Sequence, residues 1–233
     1  MAVAFQLGIG STSPTITYHP FSPNVIAQDA TSGWTTYFTN SGFPSTPGQA
    51  GDGTGLQISS ENGSFFSITW FGIGIDLYGN ATLAAFEVSL DRKNGGSGSG
   101  DVMVGPSSNL LASFSNLPLD TYTVTLTANT SSSPSSFIAF ERAVITSAVE
   151  VANLNDLTVQ SVTVDNAMIV YEGLWSTFQS TVIAPESQFH VTDQLGDTAQ
   201  LTFNGTAVSV FGLRDTIAVH MGRRRCVVLH HWT

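Results

Sequence analysis

Charge is scarce in this chain. Asp, Glu, Lys and Arg together make up 10% of its 233 residues, too few for exposed helices laced with Lys and Glu pairs. Cations are scarcer still: 7 Lys and Arg against 17 Asp and Glu leave a net charge of −10, and the basic residues concentrate in Arg223-Arg224-Arg225. No broad basic face can neutralise a phosphate backbone, which argues against nucleic acid as a partner. The single cysteine, Cys226, can form no internal disulfide, and no second cysteine or suitably spaced histidine pair completes a zinc site. Core packing must therefore hold the fold. No apolar run reaches the roughly 18 residues of a membrane-spanning helix. The opening Met1 to Gly10 lacks the basic start and long apolar core of a signal peptide.

What fills the chain instead is a hydrophobic share of 42%, set among Ser, Thr, Gly and Asn, a balance suited to sheets and turns. Thr15 to Tyr18, Phe65 to Trp70, Ile73 to Tyr78, Ala84 to Leu90, Tyr122 to Leu126 and Phe137 to Val144 are β-branched or aromatic runs bounded by turn formers, and each predicts a strand. Ser41 to Gly55, Asn94 to Gly100 and Ser131 to Ser136 have loop composition, and the first is long enough to be a binding loop. Helical periodicity is nowhere sustained. The sequons at Asn62, Asn80, Asn129 and Asn204 fit a glycosylated, secreted protein.

An internal repeat organises these strands. Ser67 to Gly79 aligns without gaps onto Gln200 to Gly212: Thr69 meets Thr202, Trp70 meets Phe203, Gly72 meets Gly205, Ile75 meets Val208, Tyr78 meets Phe211 and Gly79 meets Gly212. The alternation predicts a hairpin, with glycine at its turn and glycine again where its second strand ends. Upstream, Ile16-Thr17-Tyr18 followed by Gly33-Trp34 mirrors Ile169-Val170-Tyr171 followed by Gly173-Leu174-Trp175. The expected organisation is an N-terminal extension over 1–14, a first β-sandwich over 15–148, a linker over 149–163, a partial second sandwich over 164–215 and an Arg/His-rich tail over 216–233. The second module reads as truncated, because the tail leaves the Ser/Thr/Asn composition abruptly. Its unpaired strand edges predict self-association.

The Tyr…Gly-Trp element, the Phe203-Asn204-Gly205-Thr206-Ala207-Val208-Ser209-Val210-Phe211-Gly212 hairpin and the Leu117-Pro118 to Leu126 strand resemble the tandem galactose-binding-like jelly-roll ectodomains of mushroom-forming fungi. That resemblance spans most of residues 15–214. It implies an all-β fold of tandem jelly-roll sandwiches, the second incomplete, at a cell surface or outside the cell. It carries over no site residue.

Residues that could do chemistry do not assemble in the sequence. Asp76 should point opposite to its neighbours Ile75 and Leu77, towards solvent. Asp91 and Glu141, with Asp76, are the carboxylates a polysaccharide hydrolase would have to bring together. His19, His190 and Asp193 meet no nucleophile elbow, so acyl transfer is not expected. Asn94 to Gly100 lacks the Lys and helix start of a phosphate loop. His220, Cys226, His230 and His231 are of metal-binding type, but a tail outside any module is their simpler reading. No organic cofactor is expected. Structural calcium remains open through Asp29, Asp52 and Asp101, all in loops.

Aromatic residues carry the binding hypothesis. Trp34 and Trp175 recur in the repeat, which points to a core role, with ligand contact as the alternative for Trp34. Tyr37, Phe38 and Phe43 flank the long loop, have no well-aligned equivalents, and could stack on a sugar ring while Asn, Gln or Asp bonds its hydroxyls. Trp34, Tyr37, Phe43 and Asp52 are thus the candidate ligand-binding residues, and no catalytic residue is named. The expected function is a non-enzymatic binding module for glycans. A structural adhesion protein and a polysaccharide hydrolase are the alternatives.

Overall fold

A computed structural model describes residues 2–21, 30–40, 53–93, 101–104, 109–130, 135–150, 167–179, 188–192, 194 and 196–203. The chain separates into two compact units, Met1–Leu154 and Asn155–Thr233. Apart from one 3-10 turn at Ala30–Ser32, the regular structure among the described residues is all β.

The first unit holds β1 (Ala2–Gly10), β2 (Ile16–His19), β3 (Thr35–Phe38), β4 (Gly55–Ser59), β5 (Phe65–Gly72), β6 (Gly74–Thr82), β7 (Ala85–Arg92), β8 (Asp101–Val104), β9 (Leu110–Ser115), β10 (Asp120–Asn129) and β11 (Phe137–Glu150). They form two antiparallel sheets. The larger runs β3-β4-β11-β6-β9-β8, with β1 beside β11, and the smaller runs β2-β5-β10-β7. From β4 to β7 the chain changes sheet with every strand. On its return β10 inserts between β5 and β7, and β11 inserts between β4 and β6. That winding is a jelly-roll sandwich.

Period-two burial explains why these residues choose strands. Along β10, Tyr122, Val124, Leu126 and Ala128 are buried while Thr121, Thr123, Thr125 and Thr127 face outward. Across the core they meet Ile75, Leu77, Leu111, Phe114, Ile138 and Phe140 of the other sheet. Burying each of these large apolar side chains contributes about 1.5–3 kcal/mol, enough in sum to hold a domain without disulfides.

Two expectations fail here. Residues 1–14 are not an extension outside the sandwich, because β1 pairs with β11 from Ala2↔Glu150 to Gly10↔Arg142. Nor is Ser67 to Gly79 a hairpin: β5 lies in the small sheet and β6 in the large one, so Gly72-Ile73-Gly74 carries the chain across the sandwich. A Cβ on Gly72 would sit 2.5 Å from the Thr146 carbonyl oxygen, and one on Gly74 2.8 Å from that of Phe114. Alternation had shown that each strand buries one face. It could not show whether the two faces belong to one sheet or oppose each other across a core. Gly79, expected at a strand end, lies inside β6.

The second unit contains β12 (Ile169–Glu172), β13 (Ser176–Gln179), β14 (Gln188–Val191) and β15 (Thr198–Leu201), paired as β12–β15 and β13–β14. Its ladders repeat those of the first unit in register. Tyr18↔Phe66 and Ile16↔Ile68 correspond to Tyr171↔Ala199 and Ile169↔Leu201. Thr35↔Ile58 and Phe38↔Gly55 correspond to Ser176↔Val191 and Gln179↔Gln188. The turns agree as well. Gly33 and Gly173 have φ of 118° and 109°, and Gly63 and Gly196 have φ of 81° and 104°. The Ser59 hydroxyl accepts from Glu61 N at 3.2 Å and from the Ser64 hydroxyl; the Thr192 hydroxyl accepts from Gln194 N at 3.1 Å and donates to Asp197. Tyr37, read from the sequence as lacking an equivalent, is matched in register by Phe178.

Candidate functional site

Two irregularities meet on the outer face of the large sheet. The β11–β6 ladder shifts register between Phe140 and Arg142, and the β6–β9 ladder shifts between Leu77 and Tyr78. Both shifts flank Gly79. A Cβ there would overlap the Ala139 carbonyl oxygen and crowd Leu111, so only glycine lets β11 come this close. Bulges of this kind re-aim side chains. Here Glu141, the extra residue of β11, turns towards a cleft of about 190 Å³ lined by Thr39, Thr54, Leu56, Asn80, Asn109 and Ala139.

The rim is held by backbone and hydroxyl bonds. Thr39 N donates to the Thr54 carbonyl at 3.1 Å, and Thr54 N donates to the Thr39 hydroxyl at 2.9 Å, closing the neck between β3 and β4. Asn109, in the left-handed region at φ 62°, accepts from Gly79 N at 2.8 Å. Ser11 N donates to the Glu141 carbonyl at 2.8 Å, and the Ser11 hydroxyl to that of Gly55 at 2.8 Å, tying the first turn of the chain to the cleft floor. Glu141 pairs with Arg142, whose guanidinium lies 4.4 Å from the centre of the Tyr78 ring and so covers that face. The cleft thus offers hydroxyls, two amides and one carboxylate around an aliphatic floor.

The candidate residues fall out unevenly. Trp34 is 0% exposed, packed at 5.4 Å from both the Tyr18 and Phe66 rings, and presents no face to a ligand. Tyr37 is half-buried on β3, directly across from the cleft residue Leu56. Phe43 and Asp52 lie outside the described residues, as does Asp29, while only the backbone of Asp101 is described. Asp76 points outward as expected, accepting from the Ser113 hydroxyl at 2.5 Å. Asp91 lies on the outer face of the small sheet, in register with Thr123, whereas Asp76 and Glu141 belong to the large sheet. The three carboxylates of the hydrolase alternative therefore do not converge. Among the described residues, no group of three or more His, Cys, Asp or Glu could hold a metal ion. His190 stacks on Tyr171 at 4.3 Å, and Asp193 lies outside the described residues.

Sequence reasoning missed the cleft as a unit. One signal was present: Glu141-Arg142 puts two consecutive polar residues into an otherwise alternating strand, the pattern of a bulge. Nothing in the sequence said that Thr39, Thr54 and Asn109 would gather beside it.

No protein-family model matches the chain, and no curated protein matches it. Among solved structures it is similar to a family two carbohydrate esterase from Cellvibrio japonicus, with a TM-score of 0.38 and 11% identity over 62% of this chain and 34% of that one. The chain thus spans about a third of that protein's length. A likeness this low decides nothing about function.

Proposed function

We propose that the first unit is a non-enzymatic binding module for a neutral sugar, and that the cleft beside the Glu141 bulge is its site. The observation that carries this reading is the cleft's lining: Asn80, Asn109, Thr39, Thr54 and Glu141 supply donors and acceptors of the kind sugar hydroxyls pair with, and Leu56 and Ala139 supply an apolar patch for the ring face. Its volume of about 190 Å³ is below the roughly 300–1,000 Å³ of drug-sized sites, which suits one ring rather than an oligosaccharide. The scattered carboxylates favour binding over hydrolysis. An extracellular setting belongs to the same proposal, supported by the neutral hydroxyl-rich composition and the sequons.

The matched registers and turns of the two units support a second proposal, that residues 167–203 belong to a second copy of the same module. The test of the sugar reading is a glycan-array screen of the full chain made in a non-glycosylating host. Selective binding that Asn109→Ala weakens without unfolding the protein is the expected result. A well-folded protein that binds nothing on the array overturns it.

A further inference from the structure

Asn80 stands out among the sequons. In Asn80-Ala81-Thr82 the middle residue is not proline, so the triplet is an acceptor for N-glycosylation. Asn62 lies in the turn between β4 and β5, and Asn129 ends β10; neither lines the cleft. Asn80 does. It pairs with Ala139 on the outer face of the large sheet, is exposed, and reaches the cleft beside Asn109 and Leu56. On the other side of β6 the last ladder pair is Tyr78↔Leu110, and Gly79 N donates to the Asn109 carbonyl. A sugar attached to this exposed side chain starts at the cleft's own lining.

We propose that Asn80 is an N-glycan acceptor and that the first sugar of its glycan occupies the cleft. The inference rests on the sugar-binding reading of that cleft and on passage through a glycosylating secretory pathway. The donor is a polyprenyl-diphosphate-linked oligosaccharide. The Asn80 Nδ2 forms a bond to the anomeric carbon and loses one proton, while the bond from that carbon to the diphosphate oxygen breaks and the polyprenyl diphosphate leaves. The first residue, an N-acetylhexosamine, is then tethered within one side-chain length of Asn109, Thr54 and the Leu56 floor.

Tethering decides the competition. A group on a short linker is present at an effective concentration on the order of millimolar, without any loss to diffusion. The glycosylated form therefore holds its own sugar in the cleft, and the unmodified form alone has it open. Glycosylation acts as a switch between a closed and an open site.

The test uses the full chain secreted behind a heterologous leader from a glycosylating eukaryotic host, beside the same chain made in bacteria. Peptide mass spectrometry should find Asn80 modified, and NMR should show contacts between the first N-acetylhexosamine and the Leu56 methyls. Thr82→Ala, which removes the acceptor signal without touching the cleft lining, should abolish modification at Asn80 and restore binding of the array ligand by about tenfold or more relative to the glycosylated chain. The chain made in bacteria is a second unmodified form, with the cleft lining intact, if Thr82→Ala folds poorly. An unmodified Asn80 overturns the proposal, whether or not Asn62 or Asn129 is modified, and so does a glycan on Asn80 that makes no contact with Leu56. A bacterial protein that binds no sugar refutes the cleft reading instead, while the occupancy and contacts of Asn80 are read independently of it.

Discussion

Gly33 has no room for a side chain because the carbonyl oxygen of Pro20 lies where its Cβ would be, and the same carbonyl accepts from Trp34 N at 2.9 Å. Its counterpart Gly173 is crowded instead by the side-chain carboxylate of Asp197, which also accepts from Leu174 N at 2.9 Å. A backbone atom cannot move aside, whereas a carboxylate can rotate away. Gly33→Ala is expected to destabilise the first unit by about 3 kcal/mol or more, and Gly173→Ala the second by about 1–2 kcal/mol, the cost of its left-handed φ. Denaturant titrations that resolve the two units check the order. Equal losses would show that the two turns are built alike.

Trp34 and Trp175 make the same tyrosine contact, at 5.4 Å to Tyr18 and 5.1 Å to Tyr171. Their burial differs, since Trp34 is 0% exposed and Trp175 is only half-buried. Trp34→Ala should cost about 3–5 kcal/mol through the cavity it leaves in the core. Trp175→Ala should cost clearly less. Intrinsic fluorescence during unfolding separates the two, and a Trp34 variant as stable as the parent would contradict the packing described.

Gly79 is the hinge of the cleft. Gly79→Ala should lose about 1–3 kcal/mol from overpacking against Ala139, and should also abolish sugar binding, because β11 can no longer approach β6 where Glu141 is turned outward. Asn109→Ala removes one donor and acceptor set and should weaken binding by about two- to tenfold, the worth of one hydrogen bond. Isothermal titration against the ligand found on the array reads both. Full binding by a folded Gly79→Ala protein would place the site elsewhere.

Arg92 donates from Nε to Asp120 at 2.5 Å, and that bond to the carboxylate raises the guanidinium pKa above its ordinary value. A raised pKa in the folded state means that the guanidinium's contribution is complete below its unfolded value and is lost only as pH climbs through the folded one. Between about pH 6 and about pH 10 the stability difference between the parent and Arg92→Gln should therefore be flat. Denaturant midpoints at several pH values check this. A difference that shrinks within that window would mean the pair is governed by another group.

Much of the strand content was legible because burial on one face writes a period of two into the sequence: Tyr122-Thr123-Val124-Thr125-Leu126 can hardly be read otherwise. The short strands β3 and β4 and the N-terminal β1 were not. Gln57 and Ser59 are buried polar residues on the inward face of β4, so the alternation there is inverted in character. Gln57 is kept by a bond to the Thr36 hydroxyl at 2.9 Å, a partner that only folding supplies.

By itself the sequence determined that this protein is all β, that cations are few, and that a Tyr/Gly/Trp element recurs in order. These are local properties, carried by composition, period and spacing. Only the tertiary structure decided that β5 and β6 face each other across a core, that Asp76 and Asp91 lie on different sheets, and that Trp34 belongs to the interior. It also brought Thr39, Asn80, Asn109 and Glu141 from four separate stretches of chain to one cleft. The reason is physical: a strand's pattern records which side is buried, while its partners are chosen by register and by which backbone can approach, as at Gly79, and those depend on residues far away in the chain.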